Sequence, residues 1–292
     1  MIKKENGMKK IMLLLGIVLL LAACGENEGG VAVAPAPGLD LEWTDEGGDT
    51  DESTEQETEV DYGLFTQALQ LSPLTQGEEL IIMHTSLGDI TLRLFPTEAP
   101  MAVLNFIAHA RNGFYDGVVF HRVINGFMIQ TGCPLGTGMG GEAAWGGTFG
   151  PEMSLNLAHL RGALAMAQSG NPDSIGSQFY IVQSPTIHQH YINLFNSWIE
   201  HQDEYIDTTP SGRRIYLRDL HPAEILEHYI AHGGTPHLDI ALTDPGRQGH
   251  TVFGHVVTGM DVVDAIAAVP ATNDRPDEDV IIIGFTFFNY GE

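Results

Sequence analysis

The chain has 292 residues, with 13 Lys and Arg against 38 Asp and Glu and a formal net charge of −25. With 43% apolar and 17% charged residues it reads as a folding chain, not a wholly disordered one. The acidity excludes binding to nucleic acid through its phosphates, which needs clustered Lys and Arg. All four lysines (Lys3, Lys4, Lys9 and Lys10) lie within the first ten residues and precede an apolar run over 11–23. A positive start followed by an apolar run too short to span a bilayer is the pattern of a signal peptide.

That run ends in Leu21-Ala22-Ala23-Cys24, small residues before a cysteine, which resembles the lipobox of bacterial lipoproteins. Residues 1–23 are therefore expected to be a lipoprotein signal peptide. Cys24 becomes the lipidated first mature residue, anchoring the protein on the extracytoplasmic side of the cell membrane. The second cysteine, Cys133, is left without an intrachain partner and reads as a packing thiol. Residues 24–76 are expected to form a disordered tether, because 25–61 holds thirteen acidic residues and no basic one. A folded domain is expected over 77–292, with order beginning near Leu80.

Within it, 79–85 and 90–95 are β-rich runs joined at Ser86-Leu87-Gly88-Asp89, the pattern of a hairpin. Residues 99–112 follow with Pro100 at a helix start and apolar residues at helical spacing. Short strands and Gly-rich turns run to Gly170 and resume from Thr251; a second helix covers 260–268 and a last strand 280–288. Residues 186–234 break this pattern, with helical segments at 190–205 and 222–232, and read as an insertion. Strands outnumber helices, which predicts a β-barrel or sandwich carrying two helices.

Three stretches carry more specific information. One spans 115–132 and includes Phe120-His121-Arg122-Val123 and Gly126-Phe127-Met128-Ile129-Gln130. The others are Gly176-Ser177-Gln178-Phe179-Tyr180-Ile181 and Gly249-His250-Thr251-Val252-Phe253-Gly254. In order and composition they resemble the cyclophilin peptidyl-prolyl isomerases, over about residues 80–292 apart from the insertion. The resemblance implies a mainly β fold: a closed eight-stranded antiparallel barrel capped by two helices, here with a partly helical insertion.

It also implies a chemistry. Rotation about an X–Pro bond faces a barrier of about 18–20 kcal/mol from amide resonance. No bond breaks, so the reaction needs an apolar pocket for the proline ring and a donor that favours the twisted amide. Arg122 suits the donor role, since its planar guanidinium is permanently charged. The resemblance assigns catalysis to Arg122, Phe127, Gln130 and His250, and substrate binding to Met128, Ala167, Gln168, Gln178, Tyr180, His237 and Leu238. Four positions depart from the family: Met166-Ala167-Gln168-Ser169 replaces Met-Ala-Asn-Ala, differing at Gln168 and Ser169; Tyr180 stands where Phe is commoner; and His237 stands where many members have Trp, a position associated with cyclosporin binding. The loop 240–248 is also longer than usual.

No cofactor is expected. The histidine pairs His188/His190 and His228/His232 lack the Cys or HExxH pattern of a defined metal site. The expected partners are proline-containing unfolded or exported polypeptides and, through Cys24, the membrane; nucleic acid is not one of them, and the protein is expected to be a monomer. A catalytically weak cyclophilin-fold chaperone or peptide-binding module at the membrane surface is the alternative reading.

Overall fold

A computed structural model describes residues 64–208, 212–239 and 249–292. The signal peptide, Cys24, most of the tether and the 240–248 loop lie outside these residues. Strands β1 (Glu79–Thr85) and β2 (Gly88–Leu94) form the expected hairpin, followed by helix α1 (Pro100–Arg111). Then come β3 (Arg122–Ile124), β4 (Met128–Thr131), β5 (Ala163–Met166) and β6 (Phe179–Val182). The insertion holds α2 (Gln189–Glu200), a hairpin of β7 (Tyr205–Thr208) and β8 (Arg214–Tyr216), the short α3 (Leu217–Leu220) and α4 (Ala223–His232). The chain ends with β9 (Val252–Thr258), α5 (Met260–Ala267), the two-residue strands β10 (Ala271–Thr272) and β11 (Arg275–Pro276), and β12 (Ile282–Asn289).

Eight strands form one sheet in the order β12-β1-β2-β9-β5-β6-β4-β3, every neighbouring pair antiparallel. The sheet curls but does not close, which corrects the expected closed barrel to a half-barrel. Closure needs a continuous ladder between the marginal strands. Here β3 is three residues long, and the margins meet beside it through the isolated bridge Val119–Ile281 and bonds such as Phe120 N–H to the Val280 carbonyl, 2.9 Å.

Alternation along the strands separates two faces. On β5, the larger Leu164 and Met166 join the inner core, while small Ala163 and Ala165 join an outer apolar cluster with Met128 and Tyr180. Both α1 and α5 cover the inner core, α1 through Ala102, Val103 and Phe106 and α5 through Val263 and Ile266. Helix α1 starts after Ala99, which has no capping side chain; Glu152 instead accepts from the N–H groups of Met101 and Ala102, at 3.0 and 2.9 Å. A carboxylate there satisfies orphan donors and complements the helix dipole. Glu152→Ala is expected to cost about 1 kcal/mol, the usual value of a lost cap, read as a lower urea midpoint.

Two sequence expectations shift. The helix predicted over 190–205 stops at Glu200, and Tyr205 starts a strand. Order also begins before Leu80, because the described end of the predicted tether packs on the domain. Gln70, 8% exposed, clamps the backbone of Ala158 from both sides, its Nε2 donating to the carbonyl at 2.9 Å and its Oε1 accepting from the N–H at 2.7 Å. Arg93 donates to the carbonyls of Leu69 and Ser72 and pairs with Glu78.

His221 and His255 are held neutral: burial pushes both rings down to about 4 from an ordinary 6.5. Between these values the unfolded chain binds protons that the folded chain refuses, so stability rises with pH. Stability is therefore expected to fall as pH drops from about 6.5 toward 4, by up to about 1.4 kcal/mol per pH unit for each ring. Urea midpoints measured at several pH values across that window check this.

Candidate active site

The register of three strands assembles the centre of the site. Arg122 on β3 lies directly opposite Gln130 on β4, and Gln130 lies opposite Tyr180 on β6. Tyr180 in turn faces Ala165 on β5. A charged donor, a neutral amide and an aromatic ring thus stand abreast on the outer face. Period-two alternation makes Met128, two residues before Gln130, share that face. Met128 and Tyr180 are 2% and 4% exposed, so they form a floor, while Arg122 is exposed at the rim. The Arg122 Nε faces Asp274 Oδ2 at 3.7 Å, which orients the guanidinium through its inner nitrogen.

Phe127, Ala167 and Leu238 pack against the Met128–Tyr180 cluster. His237 stacks on Phe127 with ring centres 5.7 Å apart. His250 stands edge-on to Tyr180 at 5.9 Å, and its backbone N–H donates to the Leu238 carbonyl at 3.1 Å. On the other side of Gln130, its Nε2 donates to Gln178 Oε1 at 3.0 Å, and Gln178 Nε2 donates to the carbonyls of Gly138 and Gly140 at 2.9 and 2.8 Å. These residues, with Ala167 and Gln168, line a groove of about 380 Å³. The eleven site residues named from the sequence therefore occupy one continuous region. Its character is apolar with amide donors and acceptors, and among the described residues no group of three His, Cys, Asp or Glu could hold a metal.

The loop bordering the groove also holds Cys133, which is buried and free. Burial raises its thiol pKa, but the backbone N–H groups of Thr137, Gly140, Leu135 and Gly138 outweigh that and leave it lowered.

A family model described as cyclophilin type peptidyl-prolyl cis-trans isomerase/CLD matches residues 80–201 and 221–286, well over half of the chain. The chain belongs to the cyclophilin-type peptidyl-prolyl cis-trans isomerases. The unmatched 202–220 is the β7–β8 hairpin with α3, so the part of this cyclophilin foreign to the family model is narrower than 186–234. A Staphylococcus aureus (strain COL) protein, provisionally named a peptidyl-prolyl cis-trans isomerase, is 44% identical over 208 residues, 71% of this chain and 90% of that one. A Staphylococcus haemolyticus protein with the same name is 41% identical over 222 residues, covering 75% and 96%. A crystal structure of a Cryptosporidium parvum cyclophilin shares the fold, with a TM-score of 0.51 at 24% identity over 72% of this chain and 97% of that one.

Three residues beside the pocket went unmarked in the sequence: His159, Tyr229 and Asp239. The His159 ring, 1% exposed, sits between Tyr180 and Asp239, with Nε2 at 3.0 Å from the Tyr180 hydroxyl and Nδ1 at 2.7 Å from Asp239 Oδ1. Burial first, and then the charge of Asp239, push the Tyr180 hydroxyl well above its ordinary pKa, so it stays protonated. Only the substitution of Tyr for the commoner Phe at 180 hinted that a polar partner would lie behind the pocket.

Proposed function

We propose that this cyclophilin isomerises X–Pro bonds in exported polypeptides while tethered to the membrane through a lipid on Cys24. In this reading Phe127, Met128, Tyr180 and Leu238 receive the proline ring, and Arg122 stabilises the twisted amide. The supporting observation is the alignment of Arg122, Gln130 and Tyr180 across three adjacent strands. Twisting localises the lone pair on the prolyl nitrogen and removes its resonance with the carbonyl. A fixed guanidinium at the pocket rim then interacts more strongly with the twisted amide than with the planar one. Gln130 and Gln178 offer neutral hydrogen bonds to the peptide backbone, and Gln168 brings a buried carbonyl oxygen that no hydrogen bond among the described residues engages.

The ligand class has support from a relative: a Cryptosporidium parvum cyclophilin, 24% identical, was crystallised in the presence of the dipeptide Ala-Pro. The export context rests on the Lys-rich start, the apolar run and Leu21-Ala22-Ala23-Cys24. A protease-coupled assay on a proline peptide, run on wild type and Arg122→Ala, tests the catalytic reading. Equal rates would remove Arg122 from the mechanism, and peptide binding without accelerated exchange would favour a binding module. Radiolabelled palmitate incorporated by wild type and absent from Cys24→Ala checks the anchor.

A further inference from the structure

The proline pocket is joined to α4 by a chain of hydrogen bonds. Tyr229, on α4 and fully buried, donates its hydroxyl to Asp239 Oδ2 at 2.5 Å. Asp239 Oδ1 accepts from both the backbone N–H and the ring Nδ1 of His159, at 2.8 and 2.7 Å. A carboxylate only accepts, so the His159 Nδ1 carries a hydrogen directed at Asp239. At the other edge of the ring, Nε2 shares a hydrogen bond with the Tyr180 hydroxyl at 3.0 Å. The chain thus runs Tyr229–Asp239–His159–Tyr180, and its last residue is a wall of the pocket.

The backbone leaving α4 reinforces the connection. Gly234 bridges Leu160, and the Thr235 N–H donates to the His159 carbonyl at 2.8 Å. Gly234 has φ 134°, and a Cβ there would lie 2.5 Å from both the His159 carbonyl oxygen and Tyr229 Cε1, so only glycine permits this approach. The same short exit carries His237 against Phe127 and Leu238 into the pocket cluster. We propose that Tyr229, Asp239 and His159 are positioning residues for the isomerase reaction, so that α4 is a working part of the active site. This rests on the isomerase reading above.

The chain fixes where the wall stands, not what it is made of. Its loss should therefore spare burial of the proline ring and disturb alignment with Arg122, and misplacement of this kind is costly to rate. Full chains of wild type, Tyr229→Phe, Asp239→Asn and Tyr180→Phe are compared on one Ala-Pro peptide, with NMR giving exchange rate and affinity separately. Tyr229→Phe is expected to slow exchange of bound peptide about ten-fold while changing affinity less than about two-fold. Because the residues act as one unit, the Tyr229→Phe/Tyr180→Phe double variant should be no slower than the slower single variant. Nitrogen-edited spectra should show His159 protonated at Nδ1 in wild type and perturbed in Asp239→Asn. Active wild type with variants of equal rate overturns the proposal and leaves the isomerase reading intact. Variants that lose affinity in parallel with rate, or that melt, mark the chain as structural only and overturn it too. A wild type without exchange overturns the isomerase reading and the positioning role with it.

Discussion

Arg122→Ala is expected to lower kcat/KM on a proline peptide by about 10²- to 10³-fold, the usual effect of deleting one preorganised donor at a centre of developing charge. The side chain is exposed at the end of a three-residue strand, so its removal leaves no cavity. Its ion pair with Asp274, at 3.7 Å between two side chains about half exposed, contributes under about 1 kcal/mol to folding. Activity and stability should therefore separate, with a melting temperature near that of wild type and a rate near background. Arg122→Lys keeps the charge but loses the planar fork, and should fall between the two. A protease-coupled assay with thermal melts on the same samples reads both quantities. A large loss of stability in Arg122→Ala would instead recast this residue as a structural one.

Phe106→Ala is expected to remove about 3–5 kcal/mol of folding stability, a large share of what a domain of this size possesses. Phe106 is fully buried on α1 and lies at the hub of the inner core. Its ring centre stands 5.1 Å from Phe179, 5.4 Å from Phe253, 5.6 Å from Phe285 and 5.7 Å from Tyr115, with edge-on contacts to Phe179 and Phe285. These rings come from β6, β9, β12 and the segment before β3, so the cavity would open where four distant parts of the chain meet. Close packing of that kind cannot relax to fill the space. Urea unfolding measures the loss, and a value under about 1 kcal/mol would mean that the rings can collapse inward. The site lies on the other face of the sheet, so the fraction still folded should keep its isomerase activity.

Much of the site was legible because its residues cluster in short stretches of the sequence. Phe127, Met128 and Gln130 fall within four residues, and Gln178 and Tyr180 within three. Period two then decides which of them share a face. The hairpin at the start, both capping helices and the last strand were readable from β-rich runs, helical spacing and Pro100. The barrel's closure was not. Whether marginal strands pair depends on the length of β3 and on which carbonyls reach across, neither of which the pattern of side chains expresses. Tyr205 was misplaced for a related reason: its neighbourhood is helical in composition, but pairing with Tyr216 across a hairpin overrides that preference. The packing of Gln70 was equally hidden, since one amide clamping one backbone unit 88 residues away leaves no periodic trace.

Sequence alone determined the family, the set of residues available to a proline pocket, and a charge distribution in which every lysine precedes residue 11. These are local properties: motifs, spacing and composition are written along the chain. Tertiary structure decided that the sheet is a half-barrel, that Glu152 caps α1 from across the fold, and that Tyr229 and His159 converge on Asp239 behind Tyr180. Each of these depends on directional contacts, made or missing, that no local pattern of the chain expresses. Hydrogen bonds of that kind need distance and angle together, and only the folded backbone supplies both.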